Sequence, residues 1–481
     1  MKNKSINFII SLSLSMILGL SSCDNWLELV PESSITTASM WKSPDDAKAG
    51  LNGAFNRFRS AFGINYNHWG DKRCNFYFGR VLPSNTTELE NNQLSSSSVA
   101  TNWSGLYIAI NACNLVLKYV PDIKFTIEDD KSQILASAYY LRAMMYFYIG
   151  RIWGDAPVLV DGFESDSQTG LYPTRQPASD VFNQVEQDLI KALELVKDGT
   201  TPYQVTREAI CMLQTDLYLW LAKVYQKGTD ALNKADAAVT VVLNSGKDME
   251  ASYETVFRND ASPELIFSIA IVENEFTLDF LFLHTVNEVP AEYRNNPVPV
   301  LNQQRSTITD EHKDFLWGTP NDSRANINVA EFTVPETGVT YRWINKYLGT
   351  LRSGTRIPDS DIPVYRFAEA LLFKAEIEIA RNNIPGALPY INRIAKRAYG
   401  EDNYYSGIYS QDEIENILVD ERLKELSSEG KSWFDLIRLG QAFKRIETLK
   451  GRENEQNILL WPVNIGSINS NPAITQTPGY Y

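Results

Sequence analysis

The chain has 481 residues, 44% of them hydrophobic, 22% charged and 11% aromatic, the fractions of a folded globular protein and not of a disordered, collagenous or polytopic membrane chain. Its formal charge is −14, and no run of Lys and Arg supplies the basic face a nucleic-acid partner needs, which excludes nucleic acid. A chain this long buries about three quarters of its unfolded surface and needs neither metal nor disulfides to hold together.

In chain order, Lys2 and Lys4 lead into an apolar stretch from Ile6 to Leu20, followed by Leu20-Ser21-Ser22-Cys23. This reads as a lipoprotein signal peptide over residues 1–22, with Cys23 as the acylated new N-terminus. The stretch is too short for a membrane span of about 20 residues. Residues 24–40 show no periodicity and are expected to run extended. Of the later cysteines, Cys113 and Cys211 fall in apolar helical patterns and read as core, and with Cys74 they have no metal or redox spacing.

Ser43-Pro44-Asp45-Asp46 signals a helix start, and Leu51, Ala54, Phe55, Phe58 and Phe62 continue it until Gly63, which reads as its stop. Further helices are predicted over Trp103–Val120, Ser132–Trp153, Ser179–Val196, Arg207–Lys227, Leu232–Leu243, Tyr365–Arg381, Gly386–Ala398 and Asp412–Ser428. Small residues at Ala222 and Ala235, and at Ala375, Ala387 and Ala395, suit closely packed helix pairs of tetratricopeptide type. Met249 to Pro363 differs: it is rich in Asn, Pro and Gly. Strand-like runs lie at Leu265–Ile269 and Thr340–Lys346, with a turn at Pro335-Glu336-Thr337-Gly338. The expected fold is mainly α, a tetratricopeptide-like helical-hairpin scaffold with a loop-rich insertion containing short strands. The domain reading is one module over 23–481, with the scaffold at about 43–248 and 364–450 and the insertion at about 249–363.

Catalytic chemistry finds no foothold. His68, His284 and His312 are never three or four apart, and no G-x-S-x-G, P-loop or G-x-G-x-x-G occurs. No catalytic residue, metal or cofactor is predicted. Asp359 and Asp361 form a lone D-x-D, which could contribute to a calcium site but reads better as a solvated pair. Aromatics in irregular segments are the positive signal, because sugars stack C–H faces on rings and offer hydroxyls to Asp, Asn and Arg. Trp69, Asp71, Tyr77 and Arg80 in the stretch after the first helix, with Tyr293, Trp317 and Trp343 in the insertion, are the candidate ligand-binding residues. They are expected to converge on one exposed patch; the competing reading of each is core packing.

Four motifs carry a family resemblance: Leu141-Arg142-Ala143-Met144-Met145-Tyr146-Phe147-Tyr148 with Arg151 and Trp153-Gly154-Asp155-Ala156-Pro157; Ile362-Pro363-Val364-Tyr365-Arg366-Phe367-Ala368-Glu369; Asp420-Glu421-Arg422-Leu423-Lys424-Glu425-Leu426 with Trp433-Phe434-Asp435; and Leu460-Trp461-Pro462-Val463 with the closing Thr477-Pro478-Gly479-Tyr480. In this order, behind a lipobox, they resemble the SusD/RagB family. The resemblance implies an outer-membrane surface lipoprotein that captures an oligosaccharide, or less often a peptide, over a TonB-dependent, SusC-like transporter. A glycoside hydrolase is the remaining alternative. Where the family usually has a basic residue before Trp-Phe-Asp, this chain has Ser432; Gly430 could end one helix and Ser432 cap the next, leaving a local ion pair in question. The motif residues themselves are read as structural.

Overall fold

The first helix, α1, spans Pro44–Gly70, and Ser43 with Asp46 forms the reciprocal capping box expected at its start. It runs through Gly63. A mid-helix glycine costs about 1 kcal/mol, whereas burying a large apolar side chain stabilises by about 1.5–3 kcal/mol, and the extra turns bury Tyr66 and Trp69. The computed structural model describes residues 40–79, 87–197, 199–273, 275, 283–301, 304 and 306–480. Cys23, the signal segment and Arg80 therefore lie outside the described residues.

The scaffold continues with α2 (Ser104–Tyr119), α3 (Glu128–Trp153), α4 (Ala178–Leu195), α5 (Arg207–Lys223) and α6 (Gly228–Leu243). After the insertion, which carries α7 (Asp310–Trp317), come α8 (Phe367–Ala380), α9 (Ile384–Tyr399), α10 (Gln411–Glu425) and α11 (Ser432–Arg438). Helices pack in consecutive pairs, α1 on α2, α3 on α4, α5 on α6 and α8 on α9, and each pair leans on the next. This is the tetratricopeptide-like stack of helical hairpins, and the small residues sit where expected: Ala235, Ala375, Ala387 and Ala395 are fully buried. Cys74, Cys113 and Cys211 are buried free thiols. No described helix is long and apolar enough to cross a membrane.

Strands among the described residues form two-stranded antiparallel pairs. β1 (Tyr77–Gly79) pairs with β3 (Ser306–Ile308), β2 (Leu265–Ile269) with β8 (Ile362–Arg366), β4 (Ala330–Thr333) with β5 (Thr340–Trp343), and β6 (Thr350–Arg352) with β7 (Thr355–Ile357). The turn expected at Pro335–Gly338 joins β4 to β5. Residues 365–366, expected to open a helix, are instead strand; Pro363 biases the chain before it toward extended backbone, and β2 supplies the partner. The insertion keeps a small core of its own, with Leu283, Val289, Val298, Val300 and Trp343.

The motif residues are buried and ion-paired. Arg366 reaches Glu429 (2.8 Å), Glu264 (2.7 Å) and Glu425 (2.6 Å), and Arg397 also binds Glu264 and Glu425. From the insertion, Lys346 pairs with Glu429 (2.6 Å) and Arg324 with Asp322 (2.9 Å) and Glu421 (2.8 Å). A second cluster links α8, α10 and α11: Arg422 to Asp435 and Glu369, Arg438 to Glu376 and Asp435, Lys431 to Glu369. Between α3 and α4, Arg142 forks onto Asp188. Against the expectation that Ser432 caps α11, Lys431 is the N-cap and makes no side-chain cap bond. Lys431 instead supplies a cation, 2.8 Å from Glu369, one place before Ser432.

These pairs make stability pH-dependent. Burial alone would raise the Glu376 carboxyl, but Arg438 and Lys223 outweigh it and hold the group at about 2; Glu425, among Arg397, Arg366 and Arg324, is likewise held at about 2. A depressed carboxyl stabilises fully above its unfolded value near 4.5, and that contribution is lost as pH falls through about 2. Glu376→Gln should cost on the order of 3 kcal/mol at pH 7 and flatten the decline in unfolding free energy between pH 4.5 and 2. Urea titrations across that range check it, and a variant with the wild-type slope contradicts the assignment.

A candidate ligand-binding cleft at the β1–β3 junction

The chain leaves α1 through a close backbone crossing. A Cβ built on Gly70 would lie 1.8 Å from the Gly430 carbonyl oxygen, and Gly430 itself has φ +72°, so both positions require glycine. Asp71 secures the crossing. Its carboxylate accepts from the Gly430 N–H (2.8 Å), the Ser432 N–H (3.3 Å) and Asn67 Nδ2 (2.9 Å), so Asp71 supplies the acceptor at the start of α11. Burial pushes its carboxyl up to about 6, against those donors, which favour the charged form.

Beyond a 3₁₀ turn at Lys72–Cys74, Asn75 turns the chain at φ 60°. Its side chain accepts from Thr448 and donates to the Glu90 carbonyl. β1 then leaves toward the insertion and pairs Tyr77 with Ile308, Phe78 with Thr307 and Gly79 with Ser306. Side chains alternate along a strand, so burying Tyr77 turns Phe78 outward, where it is 45% exposed. Phe76 stacks on His312 of α7, with ring centroids 3.8 Å apart and planes 4° from parallel. Burial drives the His312 imidazole down to about 3, so it is neutral at physiological pH.

Two concavities share Phe78 as a wall. One, of about 790 Å³, runs over Phe76, Phe315 and His312 and is edged by Glu311, Arg445 and Glu447. The other, of about 230 Å³, is lined by Thr307, Asp310, Glu331 and Arg342. Thr307 faces the same side of the strand pair as Phe78. It is only 6% exposed, and among the described residues its buried hydroxyl has no hydrogen-bond partner. A buried hydroxyl left unpaired costs about 1–3 kcal/mol, and this one lies beneath the surface that a ligand would touch.

A model of the SusD family matches residues 306–480, and a second family model, described as starch-binding and associating with the outer membrane, matches residues 70–225. The chain belongs to the SusD/RagB family. SusD-like protein P38 of Formosa agariphila is 26% identical over 520 aligned positions, covering 100% of this chain and 99% of that one. The starch-binding protein SusD of Bacteroides thetaiotaomicron is 23% identical, over 71% of this chain and 72% of its own. The solved structure of B. fragilis NanU superposes with a TM-score of 0.82 at 24% identity, over 94% of this chain and 99% of that one. The SusD fold thus spans scaffold and insertion alike.

Within this SusD-family cleft the expected residues fare unevenly. The two expected segments do meet, through β1 and β3, but mostly with other side chains outward. Trp69 is 1% exposed and packs edge-on against Phe62 and Trp153 in the scaffold core; Asp71 is a buried anchor and Tyr77 faces inward. Trp343 belongs to the insertion's core, its indole N–H donating to Asn345 Oδ1. Tyr293 packs on Phe332, its hydroxyl donating to Glu336. Trp317, 39% exposed, remains at the surface on α7; its N–H is bonded to the Val329 carbonyl and Lys313 sits 5.3 Å above its ring. Asp361 is bonded by Tyr203 and the Ile271 N–H, and Asp359 by the Thr350 N–H. Among the described residues no three metal-ligating side chains cluster. Phe78 lies within the aromatic stretch that the sequence marks out, whereas Thr307, His312, Phe315 and Arg342 are not among its candidates; the period of two across Phe76–Gly79 is the available signal, without a sign for which face is inward.

Stability separates the two classes. Trp69→Ala should cost about 3–5 kcal/mol through the cavity it leaves, and Asp71→Ala about 3 kcal/mol through its stranded donors. Phe78→Ala should stay within about 1 kcal/mol of wild type, as exposed positions do. Chemical denaturation measures all three; a Trp69→Ala protein as stable as wild type would contradict the placement.

Proposed function

We propose that this SusD-family protein binds a nutrient glycan at the outer membrane, in the cleft flanking Phe78, and delivers it to a TonB-dependent transporter of SusC type. The observation that carries the reading is Phe78, an exposed aromatic plane that forms a wall of both concavities. Sugars offer the complements, a C–H face for the ring and hydroxyls for the polar side chains around it. The starch-binding description of one matching family model supports the same class.

Capture without cleavage is the expected chemistry. Glycoside hydrolysis needs a carboxylic acid that stays protonated beside a carboxylate. At this cleft Arg342 bonds both Asp310 and Glu331 and holds the Asp310 carboxyl below the usual range. The His312 ring is stacked and buried, without a proton to give near neutral pH.

Calorimetry with the cognate oligosaccharide tests the site. Phe78→Ala should weaken binding by about 1–3 kcal/mol, roughly 5- to 150-fold. Thr307→Val should leave binding near wild type and stability at or above it, because it removes an unpaired hydroxyl buried beneath the cleft surface. Mass analysis of the recovered ligand should show it intact. Binding unchanged in Phe78→Ala moves the site elsewhere, and product in excess of protein replaces capture by hydrolysis.

Attachment through acyl chains on Cys23 would hold the soluble body at the membrane, since each buried methylene contributes about 0.8 kcal/mol. Cys23→Ala should release a folded protein from the membrane fraction, read by fractionation in high salt. A variant that still pellets with membranes rules the anchor out.

A further inference from the structure

We infer that the ligand of this cleft is an uncharged oligosaccharide, and that the site discriminates against uronate-bearing and sulfated chains. The inference rests on the glycan-binding reading and adds the charge of the ligand, which the local arrangement of charged groups supplies.

Carboxylates dominate the walls. Glu90, Asp310, Glu311, Glu331 and Glu447 line the two concavities, against Arg342 and Arg445 among the described lining residues. Neither guanidinium is available to an anion. Arg342 donates to Asp310, to Glu331 and to the Ile308 carbonyl (2.7 Å). Arg445 is held by Asp420 and by Asn416 Oδ1 (3.0 Å).

Four further ammonium groups are also engaged. Lys72, sealed beneath β1, bonds Ser306 and lies 3.8 Å from Glu90. Lys424 donates to Thr319 Oγ1 (2.6 Å), Lys313 lies 3.0 Å from Asp314, and Lys450 pairs with Glu447.

An arginine recognises a carboxylate or sulfate through a free planar fork. Against the described residues, an anionic ligand would have to displace a protein carboxylate from such a fork and enter a field of like charge. A neutral sugar meets neither obstacle. The carboxylates can accept its hydroxyl protons, and Phe78 can cover a C–H face.

Matched probes that differ only at C6 test the inference: cellohexaose, mannohexaose and galactohexaose against the corresponding hexauronates. Titrations should run at about 20 mM and about 500 mM salt, since screening lengths fall from tens of ångströms to a few over that range. A neutral member should bind in a Phe78-dependent way and at least tenfold more tightly than its uronate at low salt. The gap should narrow at high salt, and also in the double variant Glu311→Gln with Glu447→Gln, whose side chains are exposed and whose loss should leave folding intact. A uronate that binds as tightly as its neutral counterpart, with Phe78→Ala abolishing both, overturns the charge inference and leaves the site standing. Neutral binding indifferent to Phe78→Ala, or no binding of any neutral probe, overturns the inference together with the placement of the site.

Discussion

Charge matching at the root of the insertion is the constraint on which the rest of the structure depends. Arg366, Arg397, Glu425 and Glu429 from the scaffold meet Glu264, Lys346 and Arg324 from the 249–363 segment, all with their side chains almost wholly removed from water. Each ion costs several kcal/mol to desolvate, and removing one partner strands the others at about 3–5 kcal/mol. Apolar packing is non-directional; a guanidinium fork is not. The network therefore fixes the angle and register at which a loop-rich segment meets a helical stack, which its small separate core could not do alone.

The cleft inherits its geometry from that joint. Gly70 and Gly430 bring the end of α1 against the turn that follows α10, and Asp71 locks the contact by accepting the Gly430 N–H of that turn and the Ser432 N–H that opens α11. From there few residues reach β1, and its pairing with β3 ties the scaffold to the insertion a second time. Tyr77 goes inward, so Phe78 goes outward. The exposed ring is thus the consequence of a buried neighbour.

Much of this was legible in the residues. The helix pairs follow from 3.6-residue apolar spacing with proline and glycine punctuation, and the insertion stands out by composition. Sequence pattern and structure part where a local signal competes with a tertiary one. Gly63 reads as a stop, yet Phe58, Phe62, Tyr66 and Trp69 keep steps of four, four and three straight through it, so Trp69 belonged to the core stripe all along. Pro363-Val364-Tyr365 reads as the approach to a helix until β2, far back in the chain, claims it as a strand. The charged motif residues gave their structural character but not their partners: Arg366 and Glu264 are 102 residues apart, and Asp71 and Gly430 are 359 apart. No periodicity encodes such a pairing, and the identity of the outward ring on β1 depends on it.

The pairing of β2 with β8 means that the insertion departs and returns at neighbouring strands. A segment closed at its stem behaves as a replaceable cassette. Doubling the length of a flexible loop whose ends are already held together costs only about 0.6 kcal/mol. Homologous proteins could therefore lengthen, shorten or exchange what lies between the stem strands, and so change which sugar is read, without refolding the helical stack. The restriction is that Lys346, Arg324 and Asp322, or equivalents, must still arrive at the root to meet the waiting charges. Diversity of ligand and constancy of scaffold are then two outcomes of one topological choice.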